Sequence, residues 1–370
     1  MKERNNDIPP IWSYCSRDRL NSAAVSCIAV ERSLFTKHQN TSMGGWHQTR
    51  TLALCGSAPE YTDSLPGSLT HHFSISLRCL SLKSDEESVL RPEMKADLHC
   101  HSHFSDGQHP PQFLMDRAIA NHVTHLAITD HDCLLNCSEL KIPPGLTLVP
   151  GLEISAGWRG MEIHIVGLGI DAESTLLNDY VCRQQQLRRD RIVAIDKKLS
   201  GQNISGLLKY LQSKPCVSWT RSHVAEFLVA EGHTKDMQRA FKRFLRPGGS
   251  AFVTAQWPEM DEAIAAIQQA SGIAVLAHPG RYGLTRSKLG RLMDDFQHSG
   301  GDAAEVSYGS INPVQQSTLT TMVQERGLYA SAGSDFHSAD RQWTDIGKFP
   351  GLGSAATKNA IWAHPRWHFD

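Results

Sequence analysis

The sequence predicts an α/β protein, and three observations carry that prediction. From residue 95 onward, short apolar runs of strand type alternate with segments of helical pattern. The runs lack the strict polar alternation of a half-solvated sheet, as strands of a buried, largely parallel sheet do. Histidines and carboxylates fall repeatedly just past the ends of the runs, where α/β barrels build their active sites.

Taken in order, strands are expected at 95–101, 125–129, 146–149, 162–168, 273–277, 303–307 and 328–331. Helices alternate with several of them. The segment 111–121 opens on proline, 258–270 is followed by Ser271 and Gly272 as a stop, and 312–326 ends at Gly327. Between 174 and 257 the strands vanish, and helices are expected at 174–199, 204–212, 220–231 and 234–245. That block reads as an all-helical insertion carried on one loop of a body formed by 94–173 and 258–370. Its first helix carries Arg183, Arg188, Arg189, Asp190, Arg191, Lys197 and Lys198, charge of the kind a solvated face displays.

Residues 1–93 differ in texture, with 14 serines, four cysteines and no sustained period. They are expected to form a poorly ordered extension outside the native protein, with translation starting at or near Met94. A targeting helix is disfavoured by Glu3, Asp7, Asp18 and Glu31.

The chain of 370 residues is 40% hydrophobic and 20% charged, ordinary for a soluble globular protein. A formal net charge of −1 predicts no general attraction to nucleic acid or anionic membranes, so an anion must be caught locally. Nine cysteines without framework spacing argue for reduced thiols, including Cys133 and Cys137, and a cytoplasmic location. No apolar run reaches the roughly 18 residues of a membrane span, and no obligate protein partner is evident.

The chemistry collects first in Asp97-Leu98-His99-Cys100-His101, where a period of two puts Asp97, His99 and His101 on one strand face. Asp130-His131-Asp132, Glu153, His278 and Asp335-Phe336-His337 follow later strands, and His164 shares a strand face with Glu162 and Val166. Mixed imidazole and carboxylate donors suit Zn, Fe or Mn, and a carboxylate can bridge two ions. His103 and His109 read as loop residues, and Asp130 and Asp132 as groups that orient neighbouring histidines.

These motifs, with Ser105-Asp106-Gly107, Pro150-Gly151-Leu152-Glu153-Ile154-Ser155, Glu162-Ile163-His164 and Ala277-His278-Pro279-Gly280-Arg281-Tyr282, closely resemble those of the PHP (polymerase and histidinol phosphatase) superfamily. Within it the chain is most similar to the 3′,5′-nucleoside bisphosphate phosphatase branch, which includes the 5′-to-3′ exoribonuclease RNase AM. The resemblance runs from about residue 95 to 337, includes the insertion segment 220–229, and leaves out 1–93.

It implies a distorted (β/α)7 barrel with three divalent ions, manganese first and iron or zinc as alternatives. His99, His101 and Asp335 would hold the first ion. Glu153 would bridge it to a second completed by His164 and His278, and Asp106, His131 and His337 would hold the third. Arg221, His223 and Arg281 would grip substrate phosphate, with His223 a candidate proton donor beside Asp335 and Glu153 as catalytic groups. The implied reaction is hydrolysis of 3′,5′-nucleoside bisphosphates, or of 5′-phosphorylated RNA ends, by attack of a metal-bound hydroxide on phosphorus. The alternatives are a phosphatase of a small metabolite such as histidinol phosphate, and a non-catalytic metal-stabilised scaffold.

Overall fold

A computed structural model of the chain describes residues 94–340 and 344–369. The expectations for 1–93, including a native start at Met94, lie outside the described residues.

Three short parallel strands open the fold, β1 (Ala96–Asp97), β2 (His125–Leu126) and β3 (Thr147–Leu148), paired in that order. Helix α1 (Pro111–Ala120) joins β1 to β2, starts on proline, and buries Leu114, Met115 and Ala118. A second sheet follows, with β4 (Gly151–Trp158), β5 (Met161–Leu168), β6 (Ile273–Leu276), β7 (Ala303–Tyr308) and β8 (Tyr329–Gly333) in sequence order. Helices α6 (Met260–Gln269), α7 (Arg286–His298) and α8 (Pro313–Glu325) alternate with its last strands, and the short α9 (Ser354–Thr357) comes after β8.

Backbone hydrogen bonds close the two sheets into one ring. Leu98 N donates to Ala332 O at 3.1 Å and Asp335 N to His99 O at 2.7 Å, stitching the end of β1 to that of β8. On the other side, Glu153 N donates to Asp130 O at 3.2 Å and Asp132 N to Glu153 O at 2.8 Å. Because β3 and β4 are one path bent at Pro150, the ring has seven strand positions. One buried apolar cluster joins Leu98, Ala127, Val149, Val166 and Val275 from this ring with Ile361 and Trp367 of the C-terminal segment.

Two differences from the sequence expectation matter. The chain past Pro150 is strand, where none was expected, and β5 runs antiparallel to both β4 and β6 within an otherwise parallel arrangement. The cause is a two-residue turn, Arg159-Gly160, with φ of 50° and 78°. Positive φ at both positions is the hairpin geometry whose twist matches the flanking strands. Helix α7 was also not expected, although Leu289, Leu292, Met293 and Phe296 form a clean buried stripe along it.

The insertion is helical, as expected. Helix α2 (Thr175–Ser200) buries Leu177, Tyr180 and Val181 against the barrel and then Ile192, Ile195 and Leu199 in a separate core. That core is completed by α3 (Leu207–Gln212), α4 (Arg221–Ala230) and α5 (Met237–Ala240), the last running into a wider turn, Phe241–Leu245. One helix thus belongs to both bodies. No helix among the described residues is long and apolar enough to cross a membrane.

Candidate active site

Glu153 is the centre of the site. It sits on β4 with no solvent exposure and meets five imidazoles. Its Oε1 lies 3.0 Å from His164 Nδ1 and 3.1 Å from His278 Nε2. Its Oε2 lies 2.9 Å from His131 Nδ1 and 3.3 Å from both His99 Nε2 and His101 Nε2. The two oxygens therefore face different sets of donors, the arrangement a bridging carboxylate requires.

Asp335 Oδ1 stands 3.2 Å from His101 Nε2 and 3.6 Å from His99 Nε2, and Asp106 Oδ1 stands 3.4 Å from His337 Nε2 and 3.7 Å from His131 Nε2. The nine side chains singled out in the sequence converge in four overlapping groups, with donor atoms in each group within 4.8 Å of one another. Two groups are His99, His101, Asp335 and His101, Asp106, His131, His337. The donors assigned to a second ion are divided, His278 grouping with His99 and Glu153, and His164 with His131 and Glu153.

The cluster does not satisfy itself. His99 Nε2 and His101 Nε2 face each other at 3.2 Å. Buried Asp106 Oδ1, His131 Nδ1, Glu153 Oε2 and His164 Nδ1 are close to neighbours yet lack hydrogen-bond geometry. Burial opposes charge on Glu153, but His131, His164 and His99 hold its carboxyl well below the usual carboxylate range. Asp106 and Asp335 are likewise held low against burial by nearby histidines, with Arg281 adding to the effect on Asp335. Burial also opposes charge on His164 and His337, yet the facing carboxylates push them up to about 10 and about 9. His131, where burial dominates, falls to about 4. Buried carboxylates that draw positive charge, ringed by imidazoles with unspent lone pairs, fit divalent metal ions.

Supporting groups that the sequence reading missed fix these donors. Glu305, buried on β7, accepts from His99 Nδ1 at 2.7 Å and from His278 N at 2.6 Å. One carboxylate thus turns the Nε2 of His99 inward and anchors the backbone of His278. Its only signal was an acid inside the apolar run Ala303–Tyr308.

The expectation for Asp130 and Asp132 needs correction. Asp130 accepts from the hydroxyls of Ser102 and Ser105, both at 2.5 Å, and touches the histidines only through Ser105, whose Oγ lies 3.4 Å from His101 Nδ1. Asp132 orients no histidine. Its Oδ2 accepts from Arg188 Nε of α2 at 2.7 Å and its Oδ1 from Ser155 N at 3.1 Å. Arg188 was expected on a solvated face, but it is buried and also donates to Ser155 Oγ at 2.8 Å. Nor is Asp97 a cluster donor, because its carboxylate accepts from Ser334 N and Gly347 N, both at 2.7 Å.

The backbone is strained at the same place. Asp132, His278 and Asp335 have φ of 43°, 29° and 51°, a region that costs such residues about 1–3 kcal/mol each and that recurs at functional sites. Two glycines admit the close approach. A Cβ on Gly107 would strike the His101 carbonyl, and one on Gly333 the His99 main chain.

The three residues expected to hold substrate differ in surroundings. Arg221 starts α4 and lies 3.4 Å from both Glu162 oxygens, and Glu162 also approaches His164 Nε2 at 3.6 Å. Arg281 pairs with Asp335 and donates to Gly309 O at 2.9 Å. His223 is buried at the third position of α4, where its Nδ1 accepts from Thr220 N at 3.0 Å. Burial holds its pKa down against the opposing charges of Asp106 and Glu226. His103 and His109 stay in the loop outside the cluster, with His109 stacked on Phe113.

A closed α/β ring whose strand ends carry this cluster defines a metal-dependent hydrolase. The PHP domain family matches residues 97–154. A 5′-3′ exoribonuclease of Haemophilus influenzae is 38% identical over 257 residues, 69% of this chain and 93% of the relative. A 3′,5′-nucleoside bisphosphate phosphatase of Chromobacterium violaceum is 36% identical over 258 residues, 68% of this chain and 90% of the relative. Among solved structures, a Chromobacterium violaceum amidohydrolase with bound sulfate and no metal superposes with a TM-score of 0.67 at 35% identity, covering 73% of this chain and 95% of that one. The chain belongs to the PHP family, in the branch that holds these two relatives.

Proposed function

We propose that the chain hydrolyses phosphate esters of nucleotides, releasing phosphate from 3′,5′-nucleoside bisphosphates and removing nucleotides from 5′-phosphorylated RNA ends. The observation that carries this reading is Glu153, with one oxygen facing His164 and His278 and the other facing His99, His101 and His131. The names of the relatives supply the substrate class.

In this reading His99, His101 and Asp335 hold one ion, Glu153, His164 and His278 a second, and Asp106, His131 and His337 a third. A donor set of imidazoles and carboxylates without thiolate suits manganese, with iron or zinc accepted by the same ligands. When bound, the ions supply a nucleophilic oxygen from water at neutral pH and neutralise phosphoryl charge. The chain does the rest. Glu305 keeps His99 turned inward, and the serine pair on Asp130 holds the loop bearing His101 and Asp106. Arg221 presents a planar fork suited to phosphate, and its pairing with Glu162 holds it beside His164. Arg281, already on Asp335, lies where it can share a phosphoryl oxygen. His223 is buried and its Nδ1 accepts from Thr220 N, so we assign it to capping the start of α4 instead of donating a proton. A nucleotide or RNA substrate is what supports a cytoplasmic location in this reading. The thiols do not, because among the described residues Cys100, Cys133, Cys137 and Cys216 are free but Cys182 is disulfide-bonded.

The test is phosphate or nucleotide release by the full chain with Mn²⁺ from adenosine 3′,5′-bisphosphate, a short 5′-phosphorylated RNA and histidinol phosphate. Turnover of either of the first two supports the reading. Preference for histidinol phosphate makes the chain a small-metabolite phosphatase, and no turnover of any makes it a scaffold.

A further inference from the structure

Charge is segregated along this chain. The insertion, residues 174–257, holds 14 lysines and arginines against six acids, a net of +8, so the rest of a chain whose total is −1 carries −9. Much of that positive charge is spent inside the fold. Arg188 pairs with Asp132, Arg191 with Glu162 and Lys214 with Glu226, while Lys198 Nζ donates to Phe252 O.

One stretch is different. From Met237 to Pro258 the sequence has four cations and no acid. Arg239, Lys242, Arg243 and Arg246 follow one another at offsets of three, four and seven, which places them on one stripe along α5 and the wider turn that continues it. Ala240, Phe244 and Leu245 are buried in the insertion core, so the stripe is the outward side, and all four cations are exposed. Arg239 lies 3.4 Å from Asp236, but among the described residues no carboxylate pairs with Lys242, Arg243 or Arg246. The Arg243 guanidinium rests 4.8 Å from the centre of the Phe244 ring, which holds it against the surface.

Position and chemistry together select a partner. Met237, at the start of α5, lines a cavity whose walls also include Asp106 and His337 of the cluster, and none of the four cations lines it. The stripe therefore starts at the edge of the site and extends roughly 13 Å along the helical path from Met237. A ligand confined to the cavity meets none of these charges. A membrane is a poor partner, because an interfacial helix buries an apolar face, and here the apolar residues are taken up by the core. A single-stranded nucleic acid fits, since its backbone carries a phosphate at every nucleotide and unpaired cations track it without reading sequence.

We infer that Arg239, Lys242, Arg243 and Arg246 form an exosite for the phosphodiester backbone of an RNA whose 5′ end occupies the cluster. The inference rests on the phosphoesterase reading above. It makes the insertion the element that favours RNA chains over free bisphosphates.

The test follows fluorescence anisotropy of a 3′-labelled, ten-nucleotide RNA with a 5′-hydroxyl, bound to the full chain with Mn²⁺, beside hydrolysis of adenosine 3′,5′-bisphosphate. Combining Lys242→Gln, Arg243→Gln and Arg246→Gln is expected to weaken RNA binding at least tenfold and leave bisphosphate hydrolysis unchanged. The slope of log affinity against log salt should flatten by about 2, as expected for three lost contacts to single-stranded phosphates. Lys242→Arg with Arg243→Lys and Arg246→Lys keeps the charge and should bind as the wild type does. A wild type that does not bind the RNA, a glutamine variant that binds it equally well, or an equal loss of bisphosphate hydrolysis would overturn the exosite. So would binding to phosphatidylglycerol vesicles that the glutamine variant loses while it keeps RNA. Because binding is read apart from turnover, a wild type that holds RNA through these residues but hydrolyses neither substrate overturns the phosphoesterase reading alone.

Discussion

Replacing Arg188 with methionine tests whether the insertion supports the site through α2. The guanidinium is buried, lies 2.7 Å from Asp132 and 2.8 Å from Ser155 Oγ, and stands 5.1 Å from the centre of the Trp257 ring. Nearby on α2, Gln184 donates to Ser155 O at 2.6 Å and Gln185 to Asp132 O at 3.0 Å. Removing one partner of a buried pair typically costs about 3–5 kcal/mol, because the other charge is left uncompensated. At roughly 2–4 °C per kcal/mol for a chain of this size class, that is a fall in Tm of about 6–20 °C. Asp132 also adjoins His131 and donates its backbone N–H to Glu153, so bound metal should fall as well. Scanning calorimetry and metal analysis read the two effects. The paired variant Arg188→Met with Asp132→Asn should recover much of the stability, since it removes the stranded charge. A single variant that melts within about 2 °C of the wild type, where the buried-pair cost requires more, would refute the reasoning.

Other perturbations separate the parts of the site. Glu153→Ala should remove bound metal and activity together, as read by elemental analysis beside phosphate release. Glu305→Gln should keep the fold by circular dichroism but weaken metal binding about 10–100-fold in chelator competition, the usual cost of losing a group behind a ligand. Arg221→Ala should forfeit about 1.5–3 kcal/mol of charge-assisted hydrogen bonding, a loss of roughly 10–150-fold in kcat/KM. Arg221→Lys should recover only part of it, because lysine cannot present a fork. Stripping metal with a chelator should lower Tm, and metal restored at about 100 times its dissociation constant should return about 2.7 kcal/mol.

Residues that act at strand ends were readable from the sequence, because each one interrupts an apolar run with a group that has no reason to be there. His99, His131, His278 and His337 are of this kind. Residues that act from inside an element were not. Glu305 is a lone acid in a strand whose other residues are buried, and its partner His99 is 206 positions away. Arg188 looks like one more charge on a charged helix until its contact with Asp132, 56 positions earlier, is seen. Strand β4 was obscured by Pro150-Gly151, which reads as a turn but in the ring is a bend between two strands of one path. The antiparallel β5 follows from the Arg159-Gly160 turn, a short-range signal outweighed by the parallel pattern around it.

The central claim is that the Glu153 cluster binds metal in order to hydrolyse a nucleotide phosphate ester. It is tested most directly by titrating Mn²⁺ into chelator-stripped full chain while phosphate release from adenosine 3′,5′-bisphosphate and bound metal are followed in the same samples. Release should be absent without metal and rise as the cluster fills, and Glu153→Ala should show neither binding nor release. Release that persists in metal-free protein, or a cluster that fills while no phosphate ester is hydrolysed, would contradict it.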